Sequence, residues 1–165
     1  MNTVLVAYAT KKGSTAEVAE RIAATLRARG LQAEVKPAAG VRDLEAYAGV
    51  VLGGALYLGR WHRDARAFLA QHRSELARRP LAVFGIGPLT TRERDMAGAR
   101  KQLDHALAKA HGIEPVAVAV FGGVVDPAKL RSPFSRMPAS DARDWDAIRS
   151  WAGEVAGALD VPRAA

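Results

Sequence analysis

The segment Val4–Thr15 reads Val-Leu-Val-Ala-Tyr-Ala-Thr-Lys-Lys-Gly-Ser-Thr, and the rest of the chain is organised around it. Its first half, Val4–Ala9, is an apolar run of the kind that forms a buried strand. Behind the segment, Val18, Ile22 and Leu26 recur at the spacing of one helix face. The sequence therefore predicts a strand, a short loop and the start of a helix.

The loop between this strand and this helix has the residue types that bind an anion. Backbone N–H groups and the positive end of the helix dipole meet there, and Thr10, Ser14 and Thr15 add hydroxyl donors. We expect a phosphate monoester as the ligand, although an ordinary strand–helix turn is the alternative. Lys11 and Lys12 either pair with the phosphate or are solvated. The loop is neither a Walker A loop nor a dinucleotide fingerprint, because it lacks the glycines of both.

Apolar runs and helical patterns alternate along the rest of the chain. The predicted strands are Val4–Ala9, Leu31–Val35, Val50–Gly54, Leu81–Ile86 and Val116–Phe121; the predicted helices are Ser14–Arg29, His62–Arg78, Glu93–His111 and one beginning near Asp141 or Asp144, with a short turn-helix at Asp43–Tyr47. The second strand alternates apolar and polar residues and is therefore an edge strand, whereas the others are apolar throughout. The pattern predicts an α/β three-layer sandwich around a parallel sheet of order 2-1-3-4-5.

Ligands of such sheets bind beyond the carboxyl ends of the strands, so the loops after the central strands are the candidate site. In Gly53–His62, Tyr57 and Trp61 could stack on a ring, or Trp61 could simply pack the next helix. His62 is either a polar residue at a helix start or a proton donor. The glycine-rich Gly85–Thr91 loop could pair its backbone with a flat ring, or form a plain turn.

The fourth loop starts at Gly122 and extends to Met137, with apolar and basic residues mixed. A lid, a substrate wall, a contact for a partner and an irregular cover of the core are the alternatives for it. Each of the four loops alone is weak evidence for a binding site. Because all four are predicted to lie at the same edge of one sheet, together they strengthen that prediction.

Composition limits the classes of function. The 165 residues fit a single domain over 1–165, and the net charge of +7 reflects 24 Lys and Arg against 17 Asp and Glu. A solvated basic surface is the simplest interpretation, and a surface for an acidic partner, an anionic membrane or nucleic acid is the alternative. Nucleic acid is the weakest of these, because zinc-ligand spacing and aromatics interleaved with basic residues are lacking, and we expect neither nucleic acid nor a metal site. The chain has no cysteine, which excludes disulfides and thiolate catalysis.

Targeting and membrane signals are also lacking in the sequence. The first apolar run is too short for a signal peptide, and no run approaches the roughly 18 apolar residues of a membrane span. We therefore expect a cytoplasmic protein without a transmembrane segment.

With Thr10, Gly13 and Thr15 in register, the first loop resembles the phosphate loop of the flavodoxin family of FMN-binding proteins. The segments Gly53–His62 and Phe121–Asp126, and the pair Asp144–Trp145, make the chain similar to the branch that includes the menaquinone-dependent protoporphyrinogen oxidases. The resemblance covers nearly the whole chain. It implies the flavodoxin-like fold, and FMN as a non-covalent cofactor.

The resemblance also implies which residues contact FMN. Its phosphate is expected on Thr10, Lys11, Lys12, Gly13, Ser14 and Thr15, and its ring between Ala55, Leu56, Tyr57, Leu58, Gly59 and Trp61 on one side and Ile86, Gly87, Pro88 and Leu89 on the other, with Gly123 and Asp126 nearby. His62 is the first candidate for a general acid.

The function that the resemblance implies is an FMN-dependent oxidoreductase. It would move electrons or hydride from a reduced donor to a quinone-like or protein acceptor, and an acidic redox partner is one candidate because the chain is basic. A flavodoxin-type electron carrier and a non-redox binding module are the alternatives. Two features depart from the family pattern: the oxidase branch has a longer insertion than Asp126–Ala139, and electron-carrier flavodoxins are typically acidic. The oligomeric state is left open.

Overall fold

The structure is a computed structural model, and it describes residues 3–10, 13–57, 59–88, 90–125 and 139–159. The strands are β1 (Thr3–Ala9), β2 (Gln32–Pro37), β3 (Tyr47–Tyr57), β4 (Arg60–Trp61), β5 (Leu81–Ile86), β6 (Ala117–Phe121), β7 (Val124–Val125) and β8 (Ser140–Asp141). The helices are α1 (Ser14–Ala28), α2 (Arg63–Gln71), α3 (Arg73–Leu76), α4 (Glu93–Ala108) and α5 (Trp145–Ala158), with a 3₁₀ turn at Ala38–Gly40. Helices and strands alternate as the sequence predicts.

The main sheet confirms the predicted strand order. Its strands run β2-β1-β3-β5-β6, and all of these neighbours pair in parallel. In strand β1, Val6 lies beside Val35 of β2 and Val51 of β3. The alternating strand β2 lies at an edge, because a strand with one polar face cannot be covered on both sides.

Helices cover both faces of the sheet. On one face, α1 and α5 pack on the core cluster that contains Val18, Ile22 and Leu26, each fully buried, as the helical spacing predicts. On the other face, α2 and α4 cover a second cluster that includes Phe68 and Leu103. Because the strands are parallel, the ends of β1, β3, β5 and β6 meet at one edge of the sheet, and all four candidate loops start there.

Three element predictions were wrong in detail. The segment Asp43–Tyr47 is a turn that leads into β3 and not a helix, since one turn is too short to be stable alone, and the Leu44 N–H donates to the Glu75 side chain at 3.0 Å. The predicted helix His62–Arg78 is broken at His72, whose backbone lies at φ −104° and ψ 19°. In α5, the helical spacing predicts that Trp145 is buried on one face with Ile148 and Ala152, but Trp145 is only half-buried and Trp151 is buried instead.

Two small elements were not predicted. Strand β4 pairs antiparallel with the end of β3, so the second candidate loop is a β-hairpin. Strands β7 and β8 form a separate two-stranded sheet after β6. Both elements lie at the carboxyl edge of the main sheet, where they shape the candidate site.

Candidate functional site

The first loop turns sharply at Gly13, which directly precedes α1. Gly13 has φ +88°, a backbone conformation that suits glycine, and its N–H donates to Thr10 Oγ1 at 3.2 Å. The turn therefore ends β1 and starts α1 within a few residues. Consequently, the first-turn N–H groups of α1, which lack partners within a helix, lie at the carboxyl edge of the sheet.

Thr15 is the unusual residue of this loop. Its side chain is fully buried in the first turn of α1, and within the part of the chain that the structure describes its Oγ1 has no hydrogen-bond partner. Buried hydroxyls are normally paired, because leaving one unpaired costs about 1–3 kcal/mol. A buried, unpaired donor at a helix start is consistent with a ligand that supplies the acceptor.

Some of the predicted site residues cannot be placed. Lys11, Lys12, Leu58, Leu89 and Asp126 lie outside the described residues, as does the rest of the segment 126–138. The predictions for these residues therefore stay predictions.

The second loop is the β3–β4 hairpin. Leu56 pairs with Trp61 and Tyr57 pairs with Arg60, with Gly59 at φ +81° in the turn. Tyr57 is 50% exposed at the tip, so its ring can meet a ligand. The Ala55 carbonyl accepts from the His62 N–H at 2.8 Å, which ties the hairpin to the start of α2.

Trp61 does not fit the stacking role that we considered for it. It is 1% exposed, and its Nε1 donates to the Gly54 carbonyl at 3.1 Å. A Cβ on Gly54 would lie 2.7 Å from that same nitrogen, and a Cβ on Gly53 would lie within the ring of Phe84. We expected the glycines of this loop to let the backbone approach a flat ligand closely, but in the structure the space at these two glycines is taken by core aromatic side chains.

His62 caps α2. Its Nδ1 accepts from the Asp64 N–H at 3.0 Å, and the side chain is only 9% exposed. This is the structural alternative that we weighed against a proton donor, and the geometry gives no support to catalysis at Nδ1.

The third and fourth loops are joined backbone to backbone. The Gly87 N–H donates to the Phe121 carbonyl at 3.0 Å, and the Gly123 N–H donates to the Pro88 carbonyl at 2.8 Å. A Cβ on Gly123 would lie 3.2 Å from Gly87 Cα, so these glycines permit the close approach of the two loops. The two N–H groups are therefore engaged within the protein, which at Gly87 favours the plain turn over pairing of the backbone with a flat ring.

Two open cavities flank these loops. One has a volume of about 440 Å³ and is lined by Leu56, Gly59, Gly87, Pro88, Thr90, Arg94, Asp95, Gly98, Ala99 and Gln102. It therefore brings together predicted ring-binding residues from the hairpin and the third loop. The other, of about 580 Å³, is lined by Thr91 and residues 141–146.

Arg143 is a residue of this edge that the sequence did not reveal. Its Nη1 donates to Glu17 Oε2 at 2.8 Å, and its Nη2 and Nε donate to the Asp141 carboxylate at 2.8 and 3.0 Å. These bonds hold the pKa of Asp141 below its ordinary value and raise that of Arg143. Since Glu17 and Arg143 lie 126 positions apart, no local sequence signal connects them.

Comparison with known proteins agrees with the fold. The profile of the Flavodoxin domain family matches residues 5–136, and the chain belongs to this family. The chain is also 29% identical over 84 residues to the protein named "Protoporphyrinogen IX dehydrogenase [quinone]" of Escherichia coli K12. That match covers 50% of this chain and 46% of the relative, so the chain spans about half the length of this curated relative.

Solved structures share the fold at lower identity. A cysteine-to-serine mutant of a flavodoxin from Pseudomonas aeruginosa superposes with a TM-score of 0.61 at 21% identity, over 95% of this chain and 98% of that one. Oxidised flavodoxin 2 from Bacillus cereus gives 0.60 at 23% identity, over 95% and 97%. The rubredoxin:oxygen oxidoreductase of Desulfovibrio gigas gives 0.62 at 15% identity, over 96% of this chain and 36% of that one.

Among the described residues, no helix is long and apolar enough to cross a membrane. Within those same residues, His, Asp and Glu side chains nowhere form a group of three that could hold a metal ion.

Proposed function

We propose that the chain binds FMN at the carboxyl edge of its sheet and is an oxidoreductase that passes electrons from a reduced donor to a quinone-like or protein acceptor. The observation that carries the proposal is the buried Thr15 hydroxyl, which lacks a partner among the described residues at the start of α1. In a member of the Flavodoxin domain family, a phosphate at this position would supply the missing acceptor.

The residues present fit FMN. Thr10, Gly13, Ser14 and Thr15 would hold the phosphate through hydroxyl and backbone N–H groups, with Lys11 and Lys12 as predicted additions. When bound, FMN supplies the redox chemistry, since it accepts a hydride and releases electrons one at a time. The protein contributes the binding, the orientation and the charge around the ring.

For the ring, the hairpin and the third loop are the proposed walls. Tyr57 is exposed at the hairpin tip and can stack on an aromatic system. The cavity of about 440 Å³ between the hairpin, the third loop and α4 has the size of a small-molecule pocket. Arg60 and Arg94, both exposed, bring positive charge to this side, which would favour a reduced, anionic ring and raise its reduction potential.

A quinone-like acceptor is supported by the match to the Escherichia coli relative, whose name specifies a quinone. Because the chain spans about half of that relative, the porphyrinogen donor and the quinone acceptor are proposals for this protein. A protein acceptor with an acidic surface would suit the net charge of +7.

Turnover measurements on the FMN-loaded protein test the proposal. We expect anaerobic reduction by NAD(P)H or by protoporphyrinogen IX, followed by reoxidation when a soluble menaquinone analogue is added. The matched control is the Thr15→Val variant, which should show little turnover at limiting FMN. A protein that binds FMN but turns over with none of these pairs would contradict the enzymatic part, and a protein that binds no FMN would overturn the whole proposal.

A further inference from the structure

We infer that Arg143 is a positioning residue that holds the start of α1 in place and thereby sets the affinity of the phosphate loop for a phosphate-bearing ligand. This inference rests on the proposed function. Arg143 lies between β8 and α5, well away from the loop in sequence, and it contacts the loop through α1.

The first observation is the set of bonds made by the guanidinium. Nη1 donates to Glu17 Oε2 at 2.8 Å, and it also lies 3.5 Å from the carbonyl oxygen of Ser14, the first residue of α1. The opposite side of the guanidinium is held by both carboxylate oxygens of Asp141. A planar guanidinium held in two directions is a rigid link, so α1 cannot shift without breaking charge-assisted bonds.

Burial of the arginine distinguishes this link from an ordinary surface ion pair. The Arg143 side chain is 9% exposed, whereas its partners Glu17 and Asp141 are 64% and 47% exposed. Surface pairs between two exposed side chains contribute little, because water competes and both chains lose freedom. The pair Arg100–Asp104 on α4, with both side chains about half exposed, is an example of that weaker class.

Trp145 provides a second connection between the same two elements. The guanidinium carbon of Arg143 lies 4.8 Å from the centre of a Trp145 ring, and that of Arg21 lies 4.9 Å from it. Arg21 is one helical turn after Glu17, so both residues face the same side of α1. Two neighbouring residues of α1 therefore contact this region: Glu17 contacts Arg143, and Arg21 contacts Trp145.

Charge explains why this link affects anion binding as well as position. Glu17 lies in the first turn of α1, close to where the phosphate is proposed. An unpaired carboxylate there would repel a phosphate dianion, and Arg143 neutralises it. Loss of Arg143 would therefore loosen α1 and leave an uncompensated negative charge beside the loop.

The test compares Arg143→Gln with Arg149→Gln, a matched control on α5 whose partner Asp146 lies on the same helix. Dissociation constants for FMN and riboflavin are measured by fluorescence titration. Since riboflavin lacks the phosphate, a residue acting through the phosphate loop changes only the FMN value. We expect Arg143→Gln to weaken FMN binding about tenfold or more, with riboflavin affinity unchanged and Arg149→Gln like wild type.

Hydrogen exchange of peptides spanning residues 10–17 gives a readout that needs no ligand. We expect faster exchange there in ligand-free Arg143→Gln and in Glu17→Gln, which breaks only the link to α1, and wild-type rates in Arg149→Gln. Equal loss of FMN and riboflavin affinity, or exchange like that of Arg149→Gln, would overturn the inference. If wild type binds neither flavin, the proposed function falls, while faster exchange in both link variants still supports the positioning role and unchanged exchange still overturns it.

Discussion

Thr15 and Gly13 are the two residues of the proposed phosphate site that have an unusual local structure. Thr15 has a buried hydroxyl with no partner among the described residues, and Gly13 has a positive φ with open space where a Cβ would lie. In the proposed site the first residue would donate to the phosphate, and the second lets the chain turn into α1. Substitutions at either residue should do little damage to packing, so they test FMN binding separately from folding.

Replacing Thr15 with valine should weaken FMN binding and leave the ligand-free protein as stable or more stable. Valine has nearly the same shape and removes the unpaired hydroxyl, so the free energy of unfolding should stay the same or rise by up to about 1 kcal/mol. The FMN dissociation constant should increase roughly tenfold, as for the loss of a bond to a charged group. Urea unfolding and fluorescence titration measure the two effects.

Thr25→Val is the control on the same helix. Thr25 donates to the Arg21 carbonyl at 3.0 Å, in the later part of α1. Its loss should leave FMN affinity unchanged. If both variants bind FMN equally well, Thr15 does not contact the phosphate.

Replacing Gly13 with aspartate should abolish FMN binding, because a carboxylate beside the helix start repels the phosphate. Gly13→Asn is the matched control, since asparagine has the same size and also tolerates a positive φ. Among the described residues, no atom lies within 4 Å of a Cβ at this position, so both variants should fold, with a similar loss of about 1 kcal/mol. Equal FMN dissociation constants for the two variants would argue against a phosphate here.

The third and fourth loops of the proposed site pack against the segment that leads from β8 into α5. The Ala142 N–H donates to the Gly123 carbonyl at 2.9 Å. A Cβ on Gly122 would clash with the Ala142 carbonyl oxygen, so any side chain there forces the backbone apart. This contact brings β8 and Arg143 to the carboxyl edge.

Replacing Gly122 with alanine should therefore destabilise the protein by about 1–3 kcal/mol, the usual cost of overpacking. Gly98→Ala, in α4 with open space around the new Cβ, should instead raise the free energy of unfolding by about 0.5–1 kcal/mol. Urea unfolding of the two variants measures the contrast. Similar stabilities would mean that the fourth loop relaxes freely around Gly122.

Acid stability tests the bonds between Asp141 and Arg143. The Arg143 hydrogen bonds lower the pKa of Asp141 in the folded state from its ordinary value of 3.8. Because the pKa of Asp141 is lower in the folded than in the unfolded state, the stabilisation is present above about pH 3.8. It is lost as the pH falls through the folded pKa. The stability advantage of wild type over Asp141→Asn should therefore shrink below about pH 4. An advantage that does not change with pH, measured by urea unfolding, would mean that the bonds to Arg143 do not form in solution.

Periodicity predicted most of the fold, because each strand and helix carries its own pattern of burial. The strand order followed from the polarity of β2, whose alternating residues require an edge. The hairpin β3–β4 was missed because β4 is only two residues long. The break at His72 was missed because it falls inside a continuous helical pattern. For Gly53 and Gly54, only the structure shows that the side chains of Phe84 and Trp61 occupy the space beside them.

The candidate site was only partly predictable from the sequence. The first loop could be identified because strand, glycine, hydroxyls and helix are adjacent in sequence. The contribution of Arg143 could not, because the guanidinium reaches Glu17 across most of the chain. Long-range ion pairs leave no periodic signal, and so positioning residues of this kind become visible only in the folded structure.

The parallel sheet gathers the ends of β1, β3, β5 and β6 at one edge, and the chain carries a net charge of +7. A basic protein of this fold attracts anionic ligands and acidic surfaces at low salt, and the attraction is screened as salt rises. The edge holds the phosphate loop and the two proposed ring walls together.

A fluorescence titration of FMN with the purified, flavin-free protein, followed by the visible spectrum of the complex, tests most directly whether the chain binds FMN. We predict quenching that saturates at about one FMN per chain, a shifted flavin spectrum, and riboflavin binding weaker by about tenfold or more, as expected for the loss of charge-assisted phosphate bonds. FMN fluorescence and absorption that stay those of the free flavin at every protein concentration would contradict the claim.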